Sequence, residues 1–127
     1  MTSCVLDASA ALAVLLKEEG ASEVLRHLPA ALINTVNLSE VAARLIENGI
    51  PMAEARIAIQ GLGLIPILFD TDLAWRAAGL RRRAKGLPLS FADRACLATA
   101  QREGLIAITS DRTWARLRIG VTIKLIR

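Results

Sequence analysis

The sequence predicts an α/β fold, a three-layer α/β/α sandwich around a mostly parallel sheet, built as a single domain over residues 1–127. Short apolar, partly β-branched stretches alternate with longer helical patterns along the chain, and that alternation places helices on both faces of a parallel sheet. Capping residues, among them Asp7, Asn37, Ser90 and Asp111, stand where several of these stretches give way to a helix. A chain of 127 residues also buries roughly 65 to 70% of its unfolded surface, enough for one core, and no linker, repeat or low-complexity tract divides it.

The elements follow in order. Residues 4–6 form a buried strand ending at Asp7, and 8–19 an apolar helix stopped by Gly20. Residues 21–28 form a second helix ended by Pro29. The stretch 31–36 is apolar and partly β-branched, and Asn37 opens a helix that runs to Asn48-Gly49. Pro51 fits the first turn of a helix ending near Gly61 or Gly63, and 65–69 is a strand. Asp72 caps a helix in which Leu73, Ala77, Leu80 and Ala84 share one face before Gly86. Ser90 starts another helix, to about Glu103. Residues 105–109 form the next strand, Asp111 begins a short helix through about Leu117, and 122–126 is the final strand.

Composition narrows the class. The 22 Ala and 20 Leu make up about a third of the chain, which favours helices and excludes a disordered or fibrous polymer. The apolar stretch 8–16 follows an Asp and falls well short of the roughly 20 residues of a membrane span, so a cytoplasmic protein without export signal or anchor is expected. Cys4 and Cys96 lie far apart with no CxxC spacing and read as inert buried thiols in a reducing compartment. The net charge is +4 and Arg supplies 13 of the 16 basic residues, a balance that suits a polyanion or an acidic partner, or simply a solvated surface. The one charge run, Arg81-Arg82-Arg83 with Lys85, reads either as a helix end favoured by the macrodipole or as a phosphate or acidic-partner contact.

Four carboxylates stand at helix entrances: Asp7 after the first strand, Glu40 in the first turn after the second, Asp93 in the first turn of the Ser90 helix, and Asp111 after the strand at 105–109. Each also reads as a local cap. Asn37-Leu38-Ser39-Glu40 and Ser90-Phe91-Ala92-Asp93 match capping boxes, and Asp7 and Asp111 match simple N-caps. In an open parallel sheet, however, the carboxyl ends of the strands share one edge, so the four converge on one crevice. Such an oxygen-rich cluster suits a hard cation, Mg²⁺ or Mn²⁺, held by one or two carboxylates and otherwise by water and substrate phosphate. The matching chemistry is metal-assisted phosphodiester hydrolysis. Mutual repulsion is also expected to raise at least one of the four pKa values.

Other chemistries lack their parts. His27 has neither a nucleophile nor a Cys ligand beside it, and there is no G-x-S-x-G, GxGxxG or Walker Lys. A phosphoaspartyl receiver needs a second Asp next to Asp7 and a Lys after a late strand, whereas Ala8 and Ser9 follow Asp7 and Lys124 lies within a terminal strand.

Four motifs, Val5-Leu6-Asp7-Ala8-Ser9-Ala10-Ala11-Leu12, Asn37-Leu38-Ser39-Glu40-Val41, Leu89-Ser90-Phe91-Ala92-Asp93-Arg94-Ala95-Cys96-Leu97-Ala98 and Thr109-Ser110-Asp111-Arg112-Thr113-Trp114, occur in an order and spacing that resembles the PIN-domain ribonucleases, in particular the VapC-type toxins of toxin-antitoxin pairs. The resemblance spans Cys4 to the C-terminus. It implies an α/β/α sandwich in which Asp7, Glu40, Asp93 and Asp111 fall on the metal-binding catalytic carboxylates, with Asp111 at the position that varies most. It further implies Mg²⁺- or Mn²⁺-dependent endonucleolytic cleavage of RNA, homodimerisation, and inhibition by a cognate antitoxin whose tail covers the site. Ser9 and Thr109 fall on the small hydroxyl positions beside the first and fourth carboxylates, placed to orient them or a bound water.

Two further readings use the same residues. A PIN-like binding or scaffold domain without nuclease activity would keep the acids as caps and act through dimerisation and a protein partner. A nuclease of single-stranded DNA would share the site, since nothing in the sequence marks 2′-OH recognition. With the four acids set aside, 16 basic residues face 8 remaining acids, a balance of +8 that suits a basic rim around an acidic pit. Aromatic residues are only 3% of the chain, so base stacking is not expected to supply sequence preference. The apolar residues Val41, Leu45, Ile46, Ile57, Ile59 and Leu62 are expected to offer either core or a docking surface for the antitoxin.

Overall fold

Five short strands, β1 (Cys4–Leu6), β2 (Leu32–Asn34), β3 (Ile65–Ile67), β4 (Ile106–Thr109) and β5 (Ile123–Leu125), form one sheet in the order β3-β2-β1-β4-β5. They come from a computed structural model that describes residues 4–84 and 86–127. Lys85, which the sequence joins to the arginine run, lies outside the described residues, as do positions 1–3 of the expected domain. Every neighbouring pair of strands is parallel, with Val5 opposite Leu32 and Ala107, and Leu6 opposite Ile33 and Ile108.

The connections are helical: α1 (Ala8–Leu15), α2 (Ala21–Leu25), α3 (Thr35–Glu47), α4 (Met52–Gln60), α5 (Thr71–Arg83), α6 (Phe91–Glu103) and a 3-10 helix, Arg112–Arg116. The strand period of two divides the core between the faces. Cys4, Leu6, Ile33 and Ile108 pack with α1 to α4, whereas Val5, Leu32 and Ala107 pack with α5, α6 and the fully buried Trp114. Strands buried on both faces read as continuous apolar runs. Neither cysteine is in a disulfide, and the two buried thiols lie in opposite layers. No helix among the described residues is long and apolar enough to cross a membrane.

Several element ends differ from expectation for identifiable reasons. The first helix stops at Leu15 because Lys17 takes a left-handed conformation (φ 55°), and the N–H groups of Lys17 and Glu18 bond back to the Val14 and Ala13 carbonyls. Leucine, lysine and glutamate carry no sequence signal for that turn. The second helix ends at Leu25, three residues short, and the strands at β2, β3 and β5 are likewise shorter. The third helix starts at Thr35. Its cap is Asn34, whose Oδ1 accepts from Val36 N at 2.9 Å while Nδ2 donates to Thr99 Oγ1 at 3.0 Å, so tertiary anchoring overrides the β-branched pair Thr35-Val36. Asn37 is therefore a buried residue within the helix, and Glu40 stands in the second turn instead of closing a capping box. Asp70, not Asp72, caps α5 by accepting from Leu73 N at 2.9 Å, which frees Asp72 to pair with Arg76 and Arg102. Leu73, Ala77, Leu80 and Ala84 are buried on one face as expected.

Candidate functional site

The strand order creates the crevice. From β1 the chain builds outward through β2 and β3, then returns to lay β4 and β5 on the other side, so connections leave the carboxyl ends of β1 and β4 in different directions. Asp7 follows β1 and caps α1. Asp111 follows β4 and caps the 3-10 helix. The first turn of α6 brings Asp93, and α3 brings Glu40. These four acids line one open cleft of about 310 Å³ together with Ser9, Asn37 and Arg44.

Asp7 is the most constrained. Its side chain is buried, and Oδ1 accepts from Ser9 Oγ at 2.7 Å and from Ala10 N at 2.9 Å, while Oδ2 accepts from Thr109 Oγ1. The two hydroxyls are held in turn: Ser9 Oγ accepts from Ser110 N at 2.9 Å and Thr109 Oγ1 from Asp111 N at 3.0 Å. The ends of β1 and β4 are thus tied by a closed set of short bonds around one carboxylate. Asp111 Oδ1 accepts from the Thr113 N–H and hydroxyl, and Asp93 completes a capping box with Ser90.

Burial raises the pKa of three of these acids. Loss of hydration pushes Asp7 up to about 6, against the lowering effect of its three donors, and the charge of Asp93 adds to the rise. Glu40 and Asp93 are also raised, first by desolvation and then by the charges of Asp93 and Asp111 respectively. Repulsion, expected from the sequence as the main cause, is therefore present but secondary to burial. The Cys96 thiol, wholly buried beneath the cleft, is raised by desolvation and by Asp7, Asp93 and Glu40, which keeps it protonated and inert.

Capping accounts for Asp7, Asp93 and Asp111. It does not account for Glu40, which caps no backbone group and whose hydrogen-bond partner is Asn37 Nδ2 at 3.4 Å. Asn37 Nδ2 also donates to Ala92 O at 3.0 Å, tying α3 to α6, while among the described residues nothing donates to its buried Oδ1. A buried acceptor without a donor costs about 1–3 kcal/mol unless something polar satisfies it. The cleft thus combines three carboxylates held by caps and one held only by the Asn37 amide, an all-oxygen donor set that fits a hard cation. Among the described residues no three His, Cys, Asp or Glu side chains come close enough to form a complete ligand group by themselves. Such a set suits an ion that keeps part of its water shell, as Mg²⁺ does.

Asn37 and Arg44 were absent from the sequence-derived site. Their signal was present: Asn37, Glu40 and Arg44 are spaced three and four apart and so share one helix face. Reading Asn37 as a cap hid it. His27 lies in the turn after α2, outside the cleft lining. Of the six apolar residues expected as core or docking surface, Val41, Leu45 and Ile59 are core, Leu62 packs partly against it, and Ile46 and Ile57 are exposed.

The sequence profile of the PIN domain matches residues 4–120. No curated protein sequence matches the chain. Among solved structures, a DNA-bound VapBC complex from Salmonella typhimurium contains a similar chain, with TM-score 0.80, 21% identity and 100% of each chain covered. A toxin-antitoxin complex from Klebsiella pneumoniae gives 0.79, 23% and 98% of each chain. A sarcin-ricin-loop-cleaving VapC toxin from Mycobacterium tuberculosis gives 0.71 and 18%, covering 94% of this chain and 98% of that one.

Proposed function

Because the chain belongs to the PIN-domain family, we propose that it is the toxin of a type II toxin-antitoxin pair, a cytoplasmic divalent-metal-dependent endoribonuclease that hydrolyses RNA phosphodiester bonds. The observation that carries the reading is Glu40. Three of the four acids cap a helix, yet the fourth is brought to the same cleft with no cap to make and one long bond from Asn37.

Asp7, Asp93, Glu40 and Asp111 would hold the ion, Mg²⁺ or Mn²⁺, with water completing its shell. Such an ion supplies Lewis-acid polarisation of a phosphoryl oxygen and acidifies an attacking water. The chain's own residues do the rest. Ser9 and Thr109 fix both oxygens of Asp7, and Thr113 and Ser90 fix Asp111 and Asp93, so the anionic wall is oriented before substrate arrives. Glu40, tethered only to Asn37 and with a raised pKa, would take the proton of the attacking water as the P–O bond breaks, and the ribose oxygen of the departing strand would take a proton from solvent.

Partner binding belongs to the same reading. An open groove of about 370 Å³ between α3 and α4 is lined by Leu38, Ala42, Ile46, Met52, Ile59 and Leu64, and it suits the apolar segment of a cognate antitoxin. An Arg- or Lys-bearing antitoxin tail reaching the cleft would pair with Asp7 and Asp93 and displace the ion. The active toxin is a homodimer in this proposal. RNA cleavage measured in chelator, Mg²⁺, Mn²⁺ and Ca²⁺ tests the chemistry. Loss in chelator, recovery with Mg²⁺ or Mn²⁺, and loss in Glu40→Gln without loss of stability are expected, whereas undiminished cleavage in chelator refutes it. For the assembly, a monomer in light scattering at micromolar concentration and failure of the neighbouring gene product to co-purify would refute the partner reading.

A further inference from the structure

The acid cleft has a basic counterpart on the flank of the molecule. The last turn of α5 carries Arg81, Arg82 and Arg83, and the end of the 3-10 helix with the residues after it brings Arg116 and Arg118 beside Arg83. Arg83, Arg116 and Arg118 line an open pocket of about 190 Å³ with Ala84, Leu87 and Leu117 and no carboxylate. Arg83 Nη2 donates to the Arg118 carbonyl at 3.5 Å, joining the two segments. All five guanidinium groups belong to exposed residues. The ion pairs among the described residues go elsewhere, to Arg26, Arg76, Arg102, Lys124 and Arg127.

A helix C-terminus accounts for three of these arginines, since cations there are favoured by the macrodipole. It does not account for Arg118, which follows the 3-10 helix, nor for the meeting of Arg116 and Arg118 with Arg83 from a different element in one pocket without a carboxylate. Three cations gathered without an acid repel one another, and covering them with a polyanion is favourable. Guanidinium is also the better cation for forked contact with phosphate oxygens.

The patch is joined to the cleft along the chain. Leu87 lies three residues before Ser90, which caps the helix carrying Asp93, and Arg116 ends the 3-10 helix that Asp111 begins. At about 2.0 Å rise per residue, the five steps from Asp111 to Arg116 span roughly 10 Å. A strand with a rise of about 3.4 Å per nucleotide covers that in a few nucleotides.

We infer that the pocket of Arg83, Arg116 and Arg118 is a backbone-phosphate subsite that holds the RNA strand a few nucleotides from the bond being cut. The inference rests on the ribonuclease reading for the identity of the polyanion. It adds a second contact point on the strand, one that positions without reading sequence.

The test measures binding of a fluorescein-labelled 12-nucleotide RNA of mixed sequence in chelator, over a range of NaCl concentrations. The triple variant Arg83→Gln/Arg116→Gln/Arg118→Gln is compared with wild type and with a control of equal charge, Arg26→Gln/Arg76→Gln/Lys124→Gln. For single strands the slope of log K against log salt changes by about 0.7 per phosphate contact. The pocket variant is therefore expected to lose roughly 0.7–1.4 in slope and to bind about tenfold more weakly at 0.1 M salt, with the control unchanged. The triple Arg→Lys variant, which keeps the charge, should retain the wild-type slope and show that the effect is not misfolding. Equal slopes for wild type and pocket variant overturn the inference while leaving the nuclease reading intact, as does an equal loss in the control. It is also overturned if the pocket variant binds RNA normally but no longer retains the co-expressed antitoxin. Wild-type protein that binds the RNA through this pocket but cuts nothing refutes the nuclease reading alone.

Discussion

Replacing Asp7 with Asn should make the metal-free protein more resistant to unfolding at alkaline pH, even though it removes the most tightly held carboxylate of the cleft. Burial raises the Asp7 pKa from its ordinary 3.8 to about 6. At about 1.4 kcal/mol per pKa unit, keeping this group ionised in the fold costs about 3 kcal/mol at pH 8. The sign follows from the direction of the shift. A raised folded-state pKa contributes stability that is complete below about pH 4 and lost as pH climbs through 6, and roughly half of the loss, about 1.6 kcal/mol, has already accrued at pH 5. Asparagine keeps an oxygen for Ser9 Oγ and Ala10 N but turns an amide toward Thr109 Oγ1, exchanging charge-assisted bonds for neutral ones at a cost of about 1–1.5 kcal/mol. The variant should therefore gain about 1–2 kcal/mol over wild type at pH 8 and almost nothing at pH 5. The change between the two pH values, about 1.4 kcal/mol or roughly 5 °C in melting temperature for a domain of this size, does not depend on the hydrogen-bond loss. Calorimetric melting of both proteins in chelator at pH 5 and 8 measures it. A difference between the proteins that stays flat across that range, or a variant weaker by a kilocalorie at pH 8, would show that Asp7 is chiefly a cap and that its burial imposes no charge penalty.

Other outcomes follow from the same contacts. Thr109→Val removes the hydroxyl that donates to Asp7 and accepts from Asp111 N; it should cost about 1–3 kcal/mol in urea unfolding and move the acid limb of the pH–rate profile to higher pH, with Thr109→Ser restoring both. Gly20→Ala should lose about 1–3 kcal/mol, because Gly20 has φ 96° and an added Cβ would lie 2.7 Å from the Ile126 carbonyl oxygen; RNA cleavage per folded molecule should be retained. Asp70→Asn should leave both cleavage and melting close to wild type, since Asn also caps, whereas Asp70→Ala should melt lower with cleavage unchanged.

The alternation of apolar stretches and helices was legible because parallel strands buried on both faces need long apolar crossovers, and Asp7, Asp93 and Asp111 were legible because they sit at the joints of that alternation, whereas Glu40 lies in the second turn of α3. Boundaries were less so. The end of α1 depends on Lys17 adopting a conformation for which its side chain gives no preference, and the start of α3 depends on Asn34 reaching Thr99 from 65 residues away. Local propensity carries neither fact. Asp70 and Asp72 both match a cap by residue type, and the contacts each makes with Arg102, a helix away, are not written in their spacing. In the cleft, the spacing of Asn37, Glu40 and Arg44 was readable, but the competing capping-box pattern pointed to another role. The order of causes behind the raised pKa of Asp7 required knowing that Thr109, Ser9 and Ala10 close around it, which no spacing in the sequence encodes.

The ring of short bonds joining Ser9, Asp7, Thr109 and the amides of Ser110 and Asp111 has a consequence for how the molecule moves. β1 and β4 are the seam between the two halves of the sheet, and this ring fastens the seam at its open end. Local opening of either half would have to unfasten a carboxylate already starved of water, so the floor of the cleft belongs to the same cooperative unit as the sheet. Binding sites are often drawn from the mobile parts of a protein, with order supplied by the ligand. Here the acid-lined edge is the keystone, and a partner that grips it would brace the whole domain against unfolding.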